Sequence, residues 1–413
     1  MSSEWPSVRL GDHVESCLGK MLDAKKNKGV PQPYLGNSNV RWGNFDVADL
    51  AEMRFESHED DRYGLQHGDL VVCEGGEPGR CAIWIGAAGT KIQKALHRIR
   101  PKAVFNNYYL FYWFCHAAKS GLIDPYFTGT TIKHLTGKAI ASLKVSRPPI
   151  EAQVAMVGVL KSLDDRITLL RETNATLEAI AQALFKSWFV DFDPVRAKME
   201  GRIPEGMDED TARLFPDALE ESELGLVPRG WRVGTVDDIA ILKGGKQLEK
   251  DAFEVNGANP VFGGAGEMGR SNLLNASGFV ITVGRVGAYC GQFFWHIGDA
   301  WVNNNASHIK PRSTAQSIWL FQWLRTVNMD LIKKGAAQPF VSNGDIALLK
   351  MTIPTAPVID SFIDISEPIF RKIHTLHEQI KTLATLRDTL LPRLISGQLR
   401  LPEVEAHLED ATA

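Results

Sequence analysis

Cationic and amide side chains in glycine-rich or polar segments are the residues of this chain whose types could do chemistry. Arg and Lys neutralise nucleic-acid phosphates, whereas Asn donates and accepts hydrogen bonds at once and therefore suits the edge of adenine. The candidates are Lys25, Lys26, Lys28, Arg41, Arg80, Lys243, Lys246, Arg285, Asn303, Asn304 and Asn305. Each alone is typical of a solvated surface or a turn, but together they predict contacts with double-stranded DNA.

Two of these arginines lie in turns flanked by glycine. The turn Gly75-Gly76-Glu77-Pro78-Gly79-Arg80 projects Arg80, and we interpret Gly284-Arg285-Val286-Gly287 as its counterpart. The recurrence of Arg in both turns favours a binding role for both side chains. Aromatic residues of two apolar segments are expected in the core instead of on a stacking platform. They are Tyr108, Tyr109, Trp113, Trp319 and Trp323.

Two short segments imitate methyltransferase motifs without completing them. Asp124-Pro125-Tyr126-Phe127 resembles the loop that holds a target amino group, but it lacks the second proline that rigidifies that loop. Residues 262–266 fit the F-x-G-x-G pattern of S-adenosylmethionine binding, yet Asn259-Pro260 precedes them and no clear βαβ alternation follows. A self-contained adenine methyltransferase is therefore kept only as an alternative.

No other segment predicts catalysis or a bound cofactor. The chain contains no Glu-x-Lys and no G-x-x-x-x-G-K-[ST] loop, so neither nuclease chemistry nor ATP use is expected. The 11 histidines lack metal-ligand spacing, and the five cysteines form no C-x-x-C pair. We expect no catalytic residue, metal or cofactor in this chain, and the scattered cysteines favour the cytoplasm.

The composition is that of an ordinary globular protein with an uneven distribution of charge. Apolar residues make up 44% and charged residues 23%, and no long uncharged apolar run predicts a membrane span. The net charge is −3, but residues 200–223 carry −7 and residues 403–413 carry −4. Without these two segments the remainder carries +8, so the body of the chain is mildly basic.

The chain reads as two copies of one unit, which fixes its architecture. The offset between matched segments is 210 residues in the middle of each copy and 206 residues near its end. The matched segments are 5–10 with 231–236, 70–84 with 279–295, 98–101 with 308–311, 109–113 with 319–323, and 140–144 with 346–350. Short β-branched and aromatic runs within each copy predict strands.

A long helix is predicted at the end of each copy, with apolar residues spaced three and four apart as in a coiled-coil seam. The seam residues are Leu160, Leu163, Ile167, Leu170, Leu177, Leu184 and Trp188 in the first helix, and Ile369, Ile373, Leu376, Ile380, Leu383, Leu390 and Leu394 in the second. The shared register predicts that the helices pair with each other; two amphipathic helices on separate domains are the alternative. Asn174 on the seam either fixes the register or lies where the seam diverges.

These patterns divide the chain into six segments. Residues 1–147 and 231–353 are predicted to form similar domains, and residues 148–199 and 354–400 hold the long helices. An acidic linker at 200–230 and an acidic tail at 401–413 complete the division. A helix over residues 152–188 would be roughly 55 Å long, which exceeds the roughly 34–36 Å of one DNA turn.

Three segments resemble conserved regions of the specificity (S) subunits of type I restriction-modification systems. LFKSWFVDFDP at 184–194 resembles their central conserved region, and LFPD at 214–217 through ELGLVPRGW at 223–231 resembles the linker into their second recognition domain. LLPRLISGQL at 390–399 is similar to their C-terminal conserved region. The motifs are long, and the two-copy plan covers nearly the whole chain.

The resemblance implies an α+β fold with a pseudo-two-fold internal repeat. Two similar target recognition domains would be separated by two long antiparallel helices that form a coiled coil. Each domain would read one half of a bipartite DNA target, and the helices would act as a ruler. Because the recognition domains vary within this family, no individual DNA contact is carried over from it.

The resemblance also implies partners and leaves alternatives. Two methyltransferase (modification) subunits would dock on the helices, and restriction/translocase subunits would complete the complex. S-adenosylmethionine, ATP and Mg²⁺ would then belong to those partners. A specificity subunit of a methylation-only defence system is an alternative that the sequence does not separate. A scaffold that joins proteins without binding DNA is another.

Overall fold

The computed structural model describes residues 5–23, 27–335 and 337–399 of the chain. The chain forms two units, residues 1–168 with 381–413 and residues 169–380. Lys25, Lys26 and the tail predicted at 401–413 lie outside the described residues. In the part of the chain that is described, no helix has the length and apolar character needed to cross a membrane.

The first unit combines short strands with helices. Its elements are β1 (Ser7–Arg9), β2 (Val14–Leu18), β3 (Val30–Leu35), β4 (Glu52–Phe55), α1 (Asp60–Tyr63), β5 (Leu70–Cys73), β6 (Cys81–Ile83), β7 (Lys91–Ile92), β8 (Leu96–Pro101), α2 (Asn107–Lys119), α3 (Gly137–Ser142), β9 (Lys144–Ser146) and the start of the long helix α4 (Ile150–Phe189). The strands form a four-stranded sheet in the order β2-β8-β5-β6, a three-stranded sheet β4-β3-β7 and the pair β1-β9.

Helix α2 provides the core of the first unit. Asn106 caps its start, because the side-chain oxygen accepts hydrogen bonds from the backbone N–H groups of Tyr108 and Tyr109 at 2.9 and 3.2 Å. Tyr109 and Trp113 are buried against the four-stranded sheet. The predicted placement of these aromatic side chains in the core is confirmed.

The predicted acidic linker is folded and lies within the second unit, which differs from a simple exposed linker. It follows α5 (Asp193–Met199) and contains α6 (Glu209–Leu214) and a hairpin of β10 (Leu219–Ser222) and β11 (Gly225–Pro228). Phe215 is buried within the second unit, with its ring centroid 5.1 Å from that of Trp188. The acidic charge therefore lies on the outside of a segment anchored by aromatic packing.

The second unit repeats the architecture of the first. Its further elements are β12 (Arg232–Thr235), α7 (Val236–Ile239), β13 (Ala240–Gly244), β14 (Asn259–Gly263), β15 (Gly266–Ser271), β16 (Phe279–Gly284), β17 (Phe293–Ile297), β18 (Trp301–Val302), β19 (Ala306–Pro311), α8 (Ser317–Thr326), α9 (Asn343–Ala347), β20 (Lys350–Ile353) and the start of α10 (Ala356–Ser396). The sheets have the orders β13-β19-β16-β17, β15-β14-β18 and β12-β20.

Apart from the β10-β11 hairpin of the second unit, the two units match strand for strand. In each, the three-stranded sheet contains one parallel pair, β3 with β7 and β14 with β18, among antiparallel neighbours. In each, a short pair joins the first strand to the strand just before a long helix, as β1-β9 and β12-β20. The internal repeat predicted from the sequence is confirmed by this shared topology.

The long helices pack against each other in opposite directions. In the first unit, Leu160 near the start of α4 shares a core with Leu394 near the end of α10. In the second unit, Phe189 at the end of α4 contacts Phe362 near the start of α10, with ring centroids 5.1 Å apart. The predicted antiparallel pair is therefore present.

The predicted seam residues line this helix pair. Most are buried, namely Leu160, Leu163, Ile167, Leu170, Trp188, Ile373, Leu376, Leu390 and Leu394. The rest are half-buried, namely Leu177, Leu184, Ile369, Ile380 and Leu383. Asn174 is buried as well, and neither amide atom has a hydrogen-bond partner among the described residues. Asn174 therefore belongs to the seam and not to a solvated divergence of the helices.

Candidate nucleic-acid interface

In the second unit, one end of the four-stranded sheet gathers the predicted contact residues. Strand β13 ends at Gly244, β16 ends just before Arg285, and β19 begins just after Asn305. We call this end, formed by residues 243–246, 285 and 303–305, the loop end of the sheet. Residues far apart in sequence therefore share one surface region.

A glycine just after β13 allows the chain to approach its neighbours closely. Gly245 donates its N–H to the Ala306 carbonyl at 2.9 Å, and Lys246 donates to the Val302 carbonyl at 3.0 Å. A Cβ on Gly245 would overlap the Asn303 carbonyl, so only glycine fits there. The close approach holds the exposed Lys246 beside the Asn303 turn.

The three asparagines have different roles. Asn303 is buried, and its side-chain oxygen accepts hydrogen bonds from the backbone N–H groups of Leu248 and Asn304 at 3.2 and 2.8 Å. Asn304 and Asn305 are exposed at the turn. Asn303 thus shapes the turn, and the amides free to meet a base are those of Asn304 and Asn305.

The sheet beside the loop end is positively charged. Lys243 lies opposite His308 across the β13-β19 pair, and Lys310 is two residues further along β19. Burial, and then the positive charges of Lys310 and Lys243, lower the pKa of His308 to about 4. His308 is therefore neutral near pH 7, and the positive charge comes from Lys243 and Lys310.

The loop end of the first unit is built by the same backbone hydrogen bonds. Gly19 donates to the Leu96 carbonyl at 2.9 Å, and Lys20 donates to the Ile92 carbonyl at 3.0 Å. Lys20 thus corresponds to Lys246. Its side chain, however, is only 3% exposed and pairs with Glu59 at 2.5 Å. The position that offers a free lysine in the second unit is neutralised in the first.

The predicted contact residues of the first unit are less concentrated. Lys28 is exposed, and Arg41 is half-exposed with a loose ion pair to Asp46 at 3.7 Å. Arg80 folds back instead of projecting: its guanidinium donates to Glu77 at 3.2 Å and to the Asn37 carbonyl at 3.0 Å. With 17% of its side chain exposed, Arg80 stabilises its own turn.

The predicted correspondence between Arg80 and Arg285 is wrong. Arg285 accepts a backbone hydrogen bond from Val341 and donates one to Asn305. Glu74 makes the same pair of bonds, accepting from Leu135 and donating to Ala95. Glu74 is therefore the counterpart of Arg285, and the sequence pattern did not identify it. An alignment of Cys73-Glu74-Gly75 with Gly284-Arg285-Val286, one residue beyond the 210-residue offset, would have found it.

The methyltransferase-like segments do not form a cofactor site together. Gly263 pairs with Gly266, so residues 262–266 close the β14-β15 hairpin and precede no helix. Asp124–Tyr126 is a single 3-10 turn of the other unit. Among the described residues, Glu56, His58 and Glu59 form a group of possible metal ligands, but Lys20 already engages the Glu59 carboxylate.

Comparison with known proteins decides what these units are. The sequence model of the family described as type I restriction modification DNA specificity domain matches residues 2–179 and 228–387, once in each copy. The chain belongs to this family. Specificity subunits are the non-catalytic, DNA-recognising subunits of type I restriction-modification systems, so DNA recognition is the role of this chain.

Individual relatives of the specificity subunit agree with this assignment. The chain is 24% identical over 333 residues to the type I restriction enzyme MjaIX specificity subunit of Methanocaldococcus jannaschii, covering 75% of this chain and 73% of that one. It is 27% identical over 331 residues to the HindI specificity subunit of Haemophilus influenzae, covering 65% and 72%. The fold resembles the S subunit of M. genitalium, with a TM-score of 0.57 at 16% identity over 95% of this chain and 96% of that one.

Proposed function

We propose that each unit of this specificity subunit reads one half of a bipartite DNA target. The observation that carries this proposal is the repeated two-sheet architecture, which gives both units the same loop end. At that end the second unit offers exposed Lys243 and Lys246 for phosphates and Asn304 and Asn305 for base edges. The first unit offers Lys28 and Arg41 near the surface.

We further propose that the helix pair α4 and α10 sets the distance between the two half-sites. The seam is buried over most of its length, and buried apolar residues spaced three and four apart make a helix pair stiff. A stiff pair is suited to holding two reading domains at a defined spacing.

The exposed faces of the same helices are proposed to dock two methyltransferase subunits. Restriction/translocase subunits would join them in the full complex. S-adenosylmethionine, ATP and Mg²⁺ would be bound by those partners. A methylation-only system would use this chain in the same way without the nuclease.

Removing one heptad from both helices tests the ruler. Asp164 contacts Arg387 and Phe189 contacts Phe362, so residues 171–177 of α4 lie level with residues 374–380 of α10. Deleting both segments preserves the seam register and shortens the pair by roughly 10 Å, about three base pairs of DNA.

The assay is a binding selection from randomised duplexes, with the chain assembled with its methyltransferase subunits. Wild type is expected to select two short sequences at a fixed separation. The deletion variant is expected to select the same two sequences about three base pairs closer. An unchanged separation would show that the helices are not the ruler, and a single undivided sequence from wild type would exclude bipartite reading.

A further inference from the structure

In each four-stranded sheet, one residue lies just beyond the strand that comes second along the chain. This residue has opposite charge in the two units. Glu74 follows β5, and Arg285 follows β16. The matched backbone hydrogen bonds described above place both at the loop end, and Cys73 pairs with Leu96 as Gly284 pairs with Ala306. One architectural position therefore carries a carboxylate in the first unit and a guanidinium in the second.

His97 is hydrogen-bonded to the Glu74 carboxylate, and His134 lies near it. The Nε2 atom of His97 lies 3.0 Å from one carboxylate oxygen, and Nδ1 of His134 lies 3.9 Å from the other. Burial lowers the pKa of His97, so its neutral ring donates an N–H without cancelling the charge of Glu74. The hydrogen bond from His97 fixes the orientation of the Glu74 carboxylate, and 16% of the Glu74 side chain is exposed.

Arg285 is left without an acidic partner among the described residues. Its Nη1 atom occupies the space above Gly244, where a Cβ would come within 3.3 Å. The hydroxyl of Ser307, which replaces His97 at the equivalent strand position, lies 2.6 Å from the Asn343 side-chain oxygen and is engaged there. The guanidinium donors are therefore available to a ligand at the loop end.

We propose that this position reads a base in each half of the DNA target, with Glu74 and Arg285 as specificity-determining residues of opposite preference. The inference rests on the proposed bipartite function. A carboxylate accepts a hydrogen bond from an exocyclic amino group, with cytosine N4 as its usual partner. A guanidinium donates to O6 and N7 of guanine. Glu74 thus selects a base with an exocyclic amino group at one position of the first half-site. Arg285 selects a guanine at one position of the second half-site.

The test compares variants in the randomised-duplex selection with the complete methyltransferase assembly. Glu74→Gln keeps the shape and adds a donor, so the preferred base at one position of the first half is expected to change. Arg285→Gln shortens the donor and is expected to relax one position of the second half. Discrimination at the affected position is expected to fall roughly 5- to 150-fold in each case.

Each variant carries an internal control for folding, because the half read by the other unit and the spacing should be retained. Glu52→Gln removes an exposed charge from β4 of the same unit and controls for a general effect of negative charge on DNA binding. It should select the wild-type sequence.

The outcomes separate the inference from the function on which it rests. If Glu74→Gln and Arg285→Gln both keep every wild-type base preference while wild type selects a bipartite site, the inference is wrong and bipartite reading stands. If wild type itself selects no bipartite site, the proposed function fails first. A change confined to the half read by the altered unit supports the inference.

Discussion

Asp164 connects three elements of the first unit, and its loss should loosen that unit. The carboxylate accepts a hydrogen bond from the Tyr112 hydroxyl on α2 at 2.7 Å and from Arg387 Nη1 on α10 at 2.6 Å. Asp164 itself lies on α4. Asp164→Ala therefore removes the polar junction between the reading domain and both long helices.

The expected loss of stability follows from what the partners retain. Tyr112 is buried, and burial together with the Asp164 charge raises its pKa, so its phenol stays protonated and would lose its acceptor. A buried hydroxyl without a partner costs about 1–3 kcal/mol. Arg387 keeps its ion pair with Asp388 at 2.8 Å and is partly exposed. Losing the contact with Asp164 therefore costs below about 1 kcal/mol at this residue. The free energy of unfolding of the first unit should fall by about 1–4 kcal/mol.

The neighbouring Asp165 offers a matched control. It is 64% exposed and pairs only across one helical turn, with Lys161 at 2.6 Å, among the described residues. Asp165→Ala should change the free energy of unfolding by no more than about 0.5 kcal/mol. In a Tyr112→Phe background, Asp164→Ala should become milder, because no hydroxyl is left to lose its acceptor.

Urea denaturation gives the overall effect, and hydrogen exchange of the amides of α2 assigns it to the first unit. Faster exchange over Asn107–Lys119 is expected for Asp164→Ala and not for Asp165→Ala. If the two alanine variants unfold at the same urea concentration, the junction does not stabilise the unit and the reasoning fails.

Three further predictions concern the loop ends. Gly245→Ala, and equally Gly19→Ala, should destabilise its own unit by about 1–3 kcal/mol in urea denaturation, since the new Cβ overlaps backbone; unaltered stability would contradict the close approach. Because the pKa of His308 is lowered to about 4, the unfolded chain binds more protons between pH 6.5 and 4, and stability falls as the pH is lowered through this range. His308→Gln should reduce the difference between the urea midpoints at pH 7 and pH 5, and an equal difference in variant and wild type would refute the reasoning. Lys243→Ala should reduce the salt slope of DNA binding by about 0.9, whereas Arg80→Ala should leave it unchanged, and equal slopes for both would count against the assignment.

Periodic features of the fold could be predicted from the sequence. The seam between α4 and α10 was found because burial every three or four residues leaves a pattern in the order of residues. The aromatic core residues Tyr109 and Trp319 were recognised because the same apolar segment occurs in both copies. Such patterns depend on neighbours along the chain, so one sequence suffices to detect them.

The charge state of the candidate surface could not be predicted in this way. Arg80 is engaged by the Asn37 carbonyl, and Asn303 by the backbone of Leu248, across 43 and 55 positions of the sequence. Lys20 resembles a surface lysine until its ion pair with Glu59, 39 positions away, is known. Non-periodic loops bring these groups together, and no local spacing records such pairs.

The two units show how one scaffold can carry different side chains at equivalent positions. Arg98 and His308 hold equivalent positions. Arg98 pairs with Val71, two residues before the end of β5, and His308 pairs with Thr282, two residues before the end of β16. Arg98 is buried and donates to the Gly64 carbonyl and to Glu15, whereas His308 lies between two lysines. Because backbone hydrogen bonds fix the loop end in both units, side chains there can change sign without moving a strand. If the loop end reads the target as proposed, a change of target sequence requires only substitutions there, and the helix pair proposed to set the spacing is unaffected.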